Sequence, residues 1–252
     1  MGFKDKVVIV TGSGAGIGRQ LAVELAAKGA KLVINSTKES TGAETLRMVK
    51  DAGAEAIFVR ADVSEPEDAK RIVDEAVKAF GRVDVLYNVA GVVLGGTIWN
   101  TTVEDFDRTM DVNVRGTMLM MQYAVPVMQK QGGGAIVNTA SVAATKGLKN
   151  RVAYSASKGA VISMTRAVAA ELVRENIRVN AVSPGTTLTP SLEDRIKGSA
   201  DPDQAMKDFC DRQPIGRLGD PSEIVKAYLF AADDEAGFLD GVNIAIDGGM
   251  SI

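Results

Sequence analysis

The stretch Thr11-Gly12-Ser13-Gly14-Ala15-Gly16-Ile17-Gly18 sets four glycines directly behind the apolar run "KVVIVT" (6–11) and ahead of a helical pattern from Ile17 to Lys28. No other feature constrains the fold as strongly. A tight turn needs a residue without a β-carbon, close approach of a pyrophosphate needs a second, and helix–strand packing a third. The N-terminus of the following helix presents free N–H groups and a positive dipole end to phosphate. Gly12, Gly16 and Gly18 are assigned to these tasks, with Ser13 and Ile17 beside them. The loop has no Gly-Lys-Ser/Thr, which argues against a nucleotide-hydrolase P-loop.

The loop opens an alternation that runs along the chain. Further β-branched, apolar runs occupy 31–35, 55–62, 83–91, 133–141, 177–185 and 241–249, with amphipathic stretches between them. Continuous apolar strands separated by helices predict a parallel sheet covered on both faces, and right-handed crossovers make it doubly wound. The expected fold class is α/β: a single Rossmann-type domain over 1–252 with a seven-stranded parallel sheet. The 252 residues, 46% of them hydrophobic, suit one core. Ser64-Glu65-Pro66-Glu67 has the spacing of a capping box and predicts a helix start. Ligands of such folds sit beyond the carboxyl ends of the strands, and every motif considered below falls at such an end.

The chain contains no histidine. Ser-His-Asp and Cys-His mechanisms are excluded, as is a His-ligated zinc site. Acid–base chemistry then falls to Tyr, Lys, Asp, Glu or Cys. A net charge of −3 gives no electrostatic reason for a nucleic-acid or anionic-membrane partner. Cys210 is the single cysteine, the first residues lack a signal-peptide core, and no apolar run is long enough to span a bilayer. The expectation is a cytoplasmic protein with a small-molecule substrate, no nucleic acid, no membrane and no metal.

About 20 residues past such a glycine loop, an acidic residue usually holds the ribose 2′-hydroxyl. Here the region reads Asn35-Ser36-Thr37-Lys38, without a carboxylate. Ser36, Thr37 and Lys38 can donate to a 2′-phosphate, so the cofactor reading leans toward NADP(H) over NAD(H). Asp62, followed by Val63, ends the third run. It can accept from an adenine amino group or serve the start of the next helix.

Tyr154-Ser155-Ala156-Ser157-Lys158 carries the chemistry. Residues i and i+4 of a helix share a face, which sets the Lys158 ammonium beside the Tyr154 phenol. A phenol of pKa ~10 is a poor base at neutral pH, and neighbouring positive charge favours its phenolate. Such a pair can take a proton from an alcohol or return it to a ketone. Ser141 ends the fifth run within reach of a carbonyl oxygen in the crevice. Asn88, Ala90 and Gly91 end the fourth. Asn113 lies in a helix, where a buried amide must be bonded. Pro184 and Gly185 turn the chain at the end of the sixth.

Together "TGSGAGIG", "NVAG", "NVRG", Ser141, "YSASK" and "SPG" resemble the short-chain dehydrogenase/reductase family across essentially the full length. The resemblance implies a tetrad of Asn113, Ser141, Tyr154 and Lys158. Tyr154 would be the acid/base and Ser141 the holder of the carbonyl or alcohol. Lys158 would lower the tyrosine pKa and bind the nicotinamide ribose, and Asn113 would anchor a water in a proton relay. The backbone near Thr187, with Thr189, would meet the nicotinamide carboxamide, and the protein would be a homotetramer. Relatives that favour NADP often place a basic residue at the position of Ala15, which this chain does not.

"KNRVAYSASK", "TPSLEDRI" and "DFCDRQPIGRLGDPSEI" are further similar to cytosolic 3-hydroxybutyrate dehydrogenases and to sugar-acid dehydrogenases such as 2-keto-3-deoxy-fuconate dehydrogenase. This likeness implies that Arg151, Arg195 and Arg212 hold a substrate carboxylate, the last two on a lid over about 188–215. A guanidinium fork fits a carboxylate in a fixed orientation. The alternative is surface pairing with Glu193, Asp194, Asp208 and Asp211. The expected activity is NAD(P)-dependent interconversion of a secondary alcohol and a ketone on a hydroxy acid or sugar acid. The alternatives are a reductase of 3-oxoacyl thioesters or neutral carbonyls, and a non-catalytic dinucleotide-sensing regulator.

Overall fold

Val7–Val10 are all buried because the strand they form lies inside a sheet with helices on both faces. The computed structural model describes residues 2–252. Its strands are β1 (Val7–Val10), β2 (Lys31–Ser36), β3 (Ala56–Arg60), β4 (Val85–Asn88), β5 (Gly134–Thr139), β6 (Ile177–Pro184) and β7 (Asn243–Ile246). Its α-helices are α1 (Gly16–Ala27), α2 (Glu39–Asp51), α3 (Pro66–Phe80), α4 (Val103–Met110), α5 (Gly116–Gln131), α6 (Val152–Leu172), α7 (Pro190–Lys197), α8 (Pro202–Asp211) and α9 (Pro221–Ala232). The sheet order is β3-β2-β1-β4-β5-β6-β7, with every pairing parallel. The expected seven-stranded Rossmann-type domain is therefore present.

Side chains of a strand alternate between faces, and β1 divides its own accordingly. Val8 and Val10 enter the core with α1 and α9, while Ile9 enters the core with α3 and α5. The chain winds from β1 outward through β2 to β3, then returns to place β4 on the other side of β1. That reversal opens a crevice above the carboxyl ends of β1 and β4, where the glycine loop and the Asn88–Gly91 turn meet. No described helix is long and apolar enough to cross a membrane.

Three local expectations change. The runs 55–62 and 83–91 are longer than β3 and β4, and their last residues form the loops that line the site. Ser64 does not cap α3: Glu65 takes the N-cap position without a side-chain bond, and the Ser64 hydroxyl donates to Asp62 Oδ1 at 2.6 Å. The capping box is instead at α9, where Asp220 accepts from Ser222 N–H at 2.8 Å and Glu223 accepts from Asp220 N–H at 2.9 Å. Asn113 lies in a π-helical turn, Asp111–Arg115, between α4 and α5. Such turns are rare and accumulate at functional sites.

Candidate active site

The glycine loop is built as its sequence requires. Gly12 has φ +63°, and a β-carbon there would come within 2.6 Å of Ala90 Cα. A β-carbon on Gly18 would lie 2.5 Å from the Gly12 carbonyl oxygen, so α1 seats directly on the turn. Helices α4, α7, α8 and α9 are capped by Thr102, Thr189, Asp201 and Asp220, whereas α1 starts at Ala15 with no side-chain cap. Its first N–H groups stay open toward a cavity of about 310 Å³ lined by Gly12, Gly14, Ala15, Asp62 and Gly91. An uncapped helix end beside a loop without β-carbons fits a pyrophosphate. Gly16, at φ +53°, abuts the Thr189 methyl, and Ile17 turns toward a second cavity.

Ser13, assigned to the cofactor from sequence, faces neither cavity. It is fully buried, and its hydroxyl is used on the carbonyls of Val10 at 2.8 Å and Asn35 at 3.2 Å. Its task is to tie the loop to β2. Asn35 completes that tie, accepting from Gly12 N–H at 3.2 Å and donating to the Val59 and Ala61 carbonyls.

Ser36, Thr37 and Lys38 rim the first cavity. The Ser36 hydroxyl shares a 3.1 Å bond with Thr41 Oγ1 and accepts from Lys38 N–H, which fixes the turn into α2. Arg60 reaches the Thr37 carbonyl at 3.2 Å and adds a second cation to Lys38. Asp62 and Val63 stand opposite. Burial raises the Asp62 pKa, but bonds from Ser64 and the charge of Arg108 bring it below the usual carboxylate value. Arg108 pairs with Asp62 at 3.3 Å and, with Val112, lines the same cavity. Arg108 is a site residue that the sequence did not reveal, because it comes from α4, 46 residues away.

The second cavity, of about 190 Å³, is bounded by Ser141, Tyr154, Gly185, Thr187 and Thr189, with Pro184 beside them. Ser141 Oγ accepts from Ala143 N–H at 3.1 Å, capping a short 3₁₀ turn, and Ser141 shares the cavity with the Tyr154 phenol. Lys158 is buried, with Nζ donating to the Thr139 carbonyl at 2.7 Å and standing 5.7 Å from the Tyr154 ring centre. Burial lowers its pKa to about 8. Tyr154 departs from the expectation of a lowered pKa. Burial raises its phenol above the ordinary value, and Ser141, then Arg151 and Arg195, pull against that rise.

Asn113 is fully buried and spends its side chain on protein. Its oxygen accepts from Val92 N–H at 2.8 Å, and its nitrogen donates to the Val92 carbonyl and to Ser157 Oγ, each at 3.0 Å. A β-carbon on Gly91 would lie 3.1 Å from Asn113 Oδ1 and 3.5 Å from Lys158 Nζ. Gly91 thus lets the first cavity approach Asn113 and Lys158 closely. Asn88 is also buried and donates to Asn138 Oδ1 at 2.9 Å, behind the cavities rather than in them.

Arg151, Arg195 and Arg212 come from the start of α6, from α7 and from the end of α8, and all three line the second cavity. Surface pairing does not hold them: among the described residues none makes an ion pair, and Glu193 is engaged with Lys197. Arg195 and Arg212 lie against the Phe209 ring, at 5.8 and 4.2 Å. Partial burial lowers the pKa of all three; Arg151 and Arg212 lower that of Arg195 further and Arg151 that of Arg212, while Tyr154 opposes the shift at Arg151 and Arg195 and Asp208 opposes it at Arg212. The three guanidinium groups give this cavity a concentration of positive charge.

Residues 12–251 match the family model described as enoyl-(acyl carrier protein) reductase. An oxidoreductase of Thermotoga maritima is 49% identical over 251 residues, covering 100% of this chain and 99% of that protein. Dehydrogenase/reductase SDR family member 6 of Rattus norvegicus is 38% identical, covering 99% of each. This chain belongs to the short-chain dehydrogenase/reductase family. Among solved structures, L-sorbose reductase from Gluconobacter frateurii, complexed with NADPH and L-sorbose, superposes with a TM-score of 0.95 at 30% identity, covering 100% of this chain and 98% of that one. NAD⁺-bound xylitol dehydrogenase gives 0.92 at 34% identity, covering 99% and 100%.

As a short-chain dehydrogenase/reductase, the protein is an NAD(P)-dependent oxidoreductase, and the cradle around α1 fits the dinucleotide. Bound there, a nicotinamide dinucleotide supplies the hydride acceptor or donor. Ser141 and Tyr154, which line the second cavity together, carry the kinds of hydroxyl that can hold a substrate oxygen and exchange its proton.

Proposed function

We propose that the enzyme interconverts a secondary alcohol and a ketone on a small hydroxy acid or sugar acid. The observation that carries this is the set of three arginines that make no ion pair among the described residues and line one cavity with Tyr154 and Ser141, the Asp208 charge acting on Arg212 alone. Their guanidinium groups fix a carboxylate while Ser141 holds the reacting oxygen and Tyr154 exchanges its proton. Lys158 supplies positive charge next to the phenol, and Asn113 braces the π-helical turn behind it. Helices α7 and α8 act as the substrate lid. A cavity volume of about 190 Å³ suits a small substrate. A 3-oxoacyl thioester or neutral carbonyl would leave the arginines unused. A spectrophotometric screen of hydroxy acids, sugar acids and cyclic alcohols, with NAD and NADP in parallel, tests the reading. Preference for neutral alcohols over every acid removes it.

NADP(H) is the proposed cofactor. Lys38 and Arg60 give the Ser36–Lys38 turn a positive rim with no carboxylate at its first residue. Ser36→Asp sets a negative charge there. It is expected to raise the ratio of kcat/KM with NAD to kcat/KM with NADP by roughly tenfold or more, about 1.4 kcal/mol. An unchanged ratio refutes this use of the turn.

The protein is further proposed to be a cytoplasmic homotetramer. Phe230, Phe238 and Val242 are exposed around α9 and the edge strand β7, and Val103, Phe106 and Met118 are exposed on α4 and α5. Two separate apolar patches suit the two interfaces of a dihedral tetramer. Light scattering is expected to give the mass of four chains, and a monomer mass rejects the assignment.

A further inference from the structure

Thr139 ends β5 with both its polar oxygens in use. Its carbonyl accepts the Lys158 ammonium at 2.7 Å, and its hydroxyl accepts from the Tyr228 phenol at 2.8 Å. Lys158 belongs to α6, which packs on one face of the sheet, and Tyr228 to α9, which packs on the other. One threonine therefore joins the two layers directly beneath the reacting pair.

The chemistry of the contact is directional. Tyr228 is fully buried, and its ring leans on Tyr87 with centres 6.2 Å apart. Burial pushes its phenol far above the usual value, so it remains a donor at any working pH. A hydroxyl that must accept from Tyr228 has its own proton free for another direction, and no described protein atom takes it. The extended chain continues past Thr139, with Ala140 N–H bonded to the Val182 carbonyl and Ser141 at φ −171°, ψ 155°. Residues i and i+2 of an extended chain share a side. Thr139 thus points as Ser141 does, and both line the cavity that Tyr154 enters.

We propose that Tyr228 and Thr139 form a positioning pair for the reaction: Tyr228 turns the Thr139 hydroxyl proton toward the reactants and steadies the carbonyl that holds Lys158. The proposal rests on Tyr154 and Lys158 being the reacting residues, a premise that Tyr154→Phe tests separately.

The experiment compares Tyr228→Phe, Thr139→Val, Thr139→Ser and the double variant Tyr228→Phe/Thr139→Val on the best substrate of the screen. It reads kcat, KM, the dinucleotide Kd by fluorescence, and the fraction of binding-competent protein. Tyr228→Phe and Thr139→Val are each expected to lower kcat per competent site about threefold to tenfold, the loss of one hydrogen bond, with KM and Kd within about twofold. The double variant should be no worse than Thr139→Val alone, and Thr139→Ser should stay within about twofold of the parent. The pair is refuted if both single variants retain full kcat, if their effects multiply, if Thr139→Ser is as impaired as Thr139→Val, or if the losses fall on KM, Kd or the competent fraction instead.

Discussion

Tyr154→Phe is expected to lower turnover by about 10²–10⁴-fold while dinucleotide affinity stays within about twofold. The substitution removes one oxygen and keeps the ring that packs beside Lys158. Because burial raises the Tyr154 pKa, the phenol is an acid ready to donate in ketone reduction. In alcohol oxidation it must first lose its proton, and the positive charges of Lys158 and of oxidised nicotinamide favour that loss. The two directions therefore differ in pH dependence. Reduction uses a protonated Tyr154 and a charged Lys158. Lys158 loses its charge as pH rises through about 8, so kcat/KM for reduction should be level below that pH and decline above it. Substantial turnover by Tyr154→Phe, or a reduction rate that climbs through pH 8, contradicts this assignment.

The frame of the site was legible because it is local. Val7–Val10, the glycine loop and α1 are consecutive, and each obeys a rule of spacing or of φ that needs no distant partner. The i, i+4 relation of Tyr154 and Lys158 is equally local. Side-chain direction inside a loop was not legible: Ser13 and Ser64 look like ligand and cap, yet each finds a nearer acceptor, at Val10 and Asp62. Contacts between remote elements were also hidden. Arg108 meets Asp62 across 46 residues and Tyr228 meets Thr139 across 89. No periodicity encodes such pairs, because the sheet order decides which helix passes over which strand end.

Replacing Arg195 and Arg212 by alanine should raise KM for hydroxy acids far more than for neutral cyclic alcohols. A hydrogen bond to a charged group contributes about 1.5–3 kcal/mol when well enclosed. Both arginines are on the exposed side of the cavity, where solvent screens them, so the lower end applies: roughly tenfold in KM for each. Either variant alone leaves Arg151 and one lid arginine to hold the carboxylate, and the double variant should approach a hundredfold if the two act independently. Removing one arginine also relieves repulsion on those that remain, which reduces the measured loss and makes each single effect a lower bound on the contact. High salt should weaken acid binding in the parent and much less in the double variant, since screening acts only where charges meet. Equal changes for acids and neutral alcohols would mean that α7 and α8 shape the cavity without reading charge, and the carboxylate reading would fall while Tyr154 kept its role.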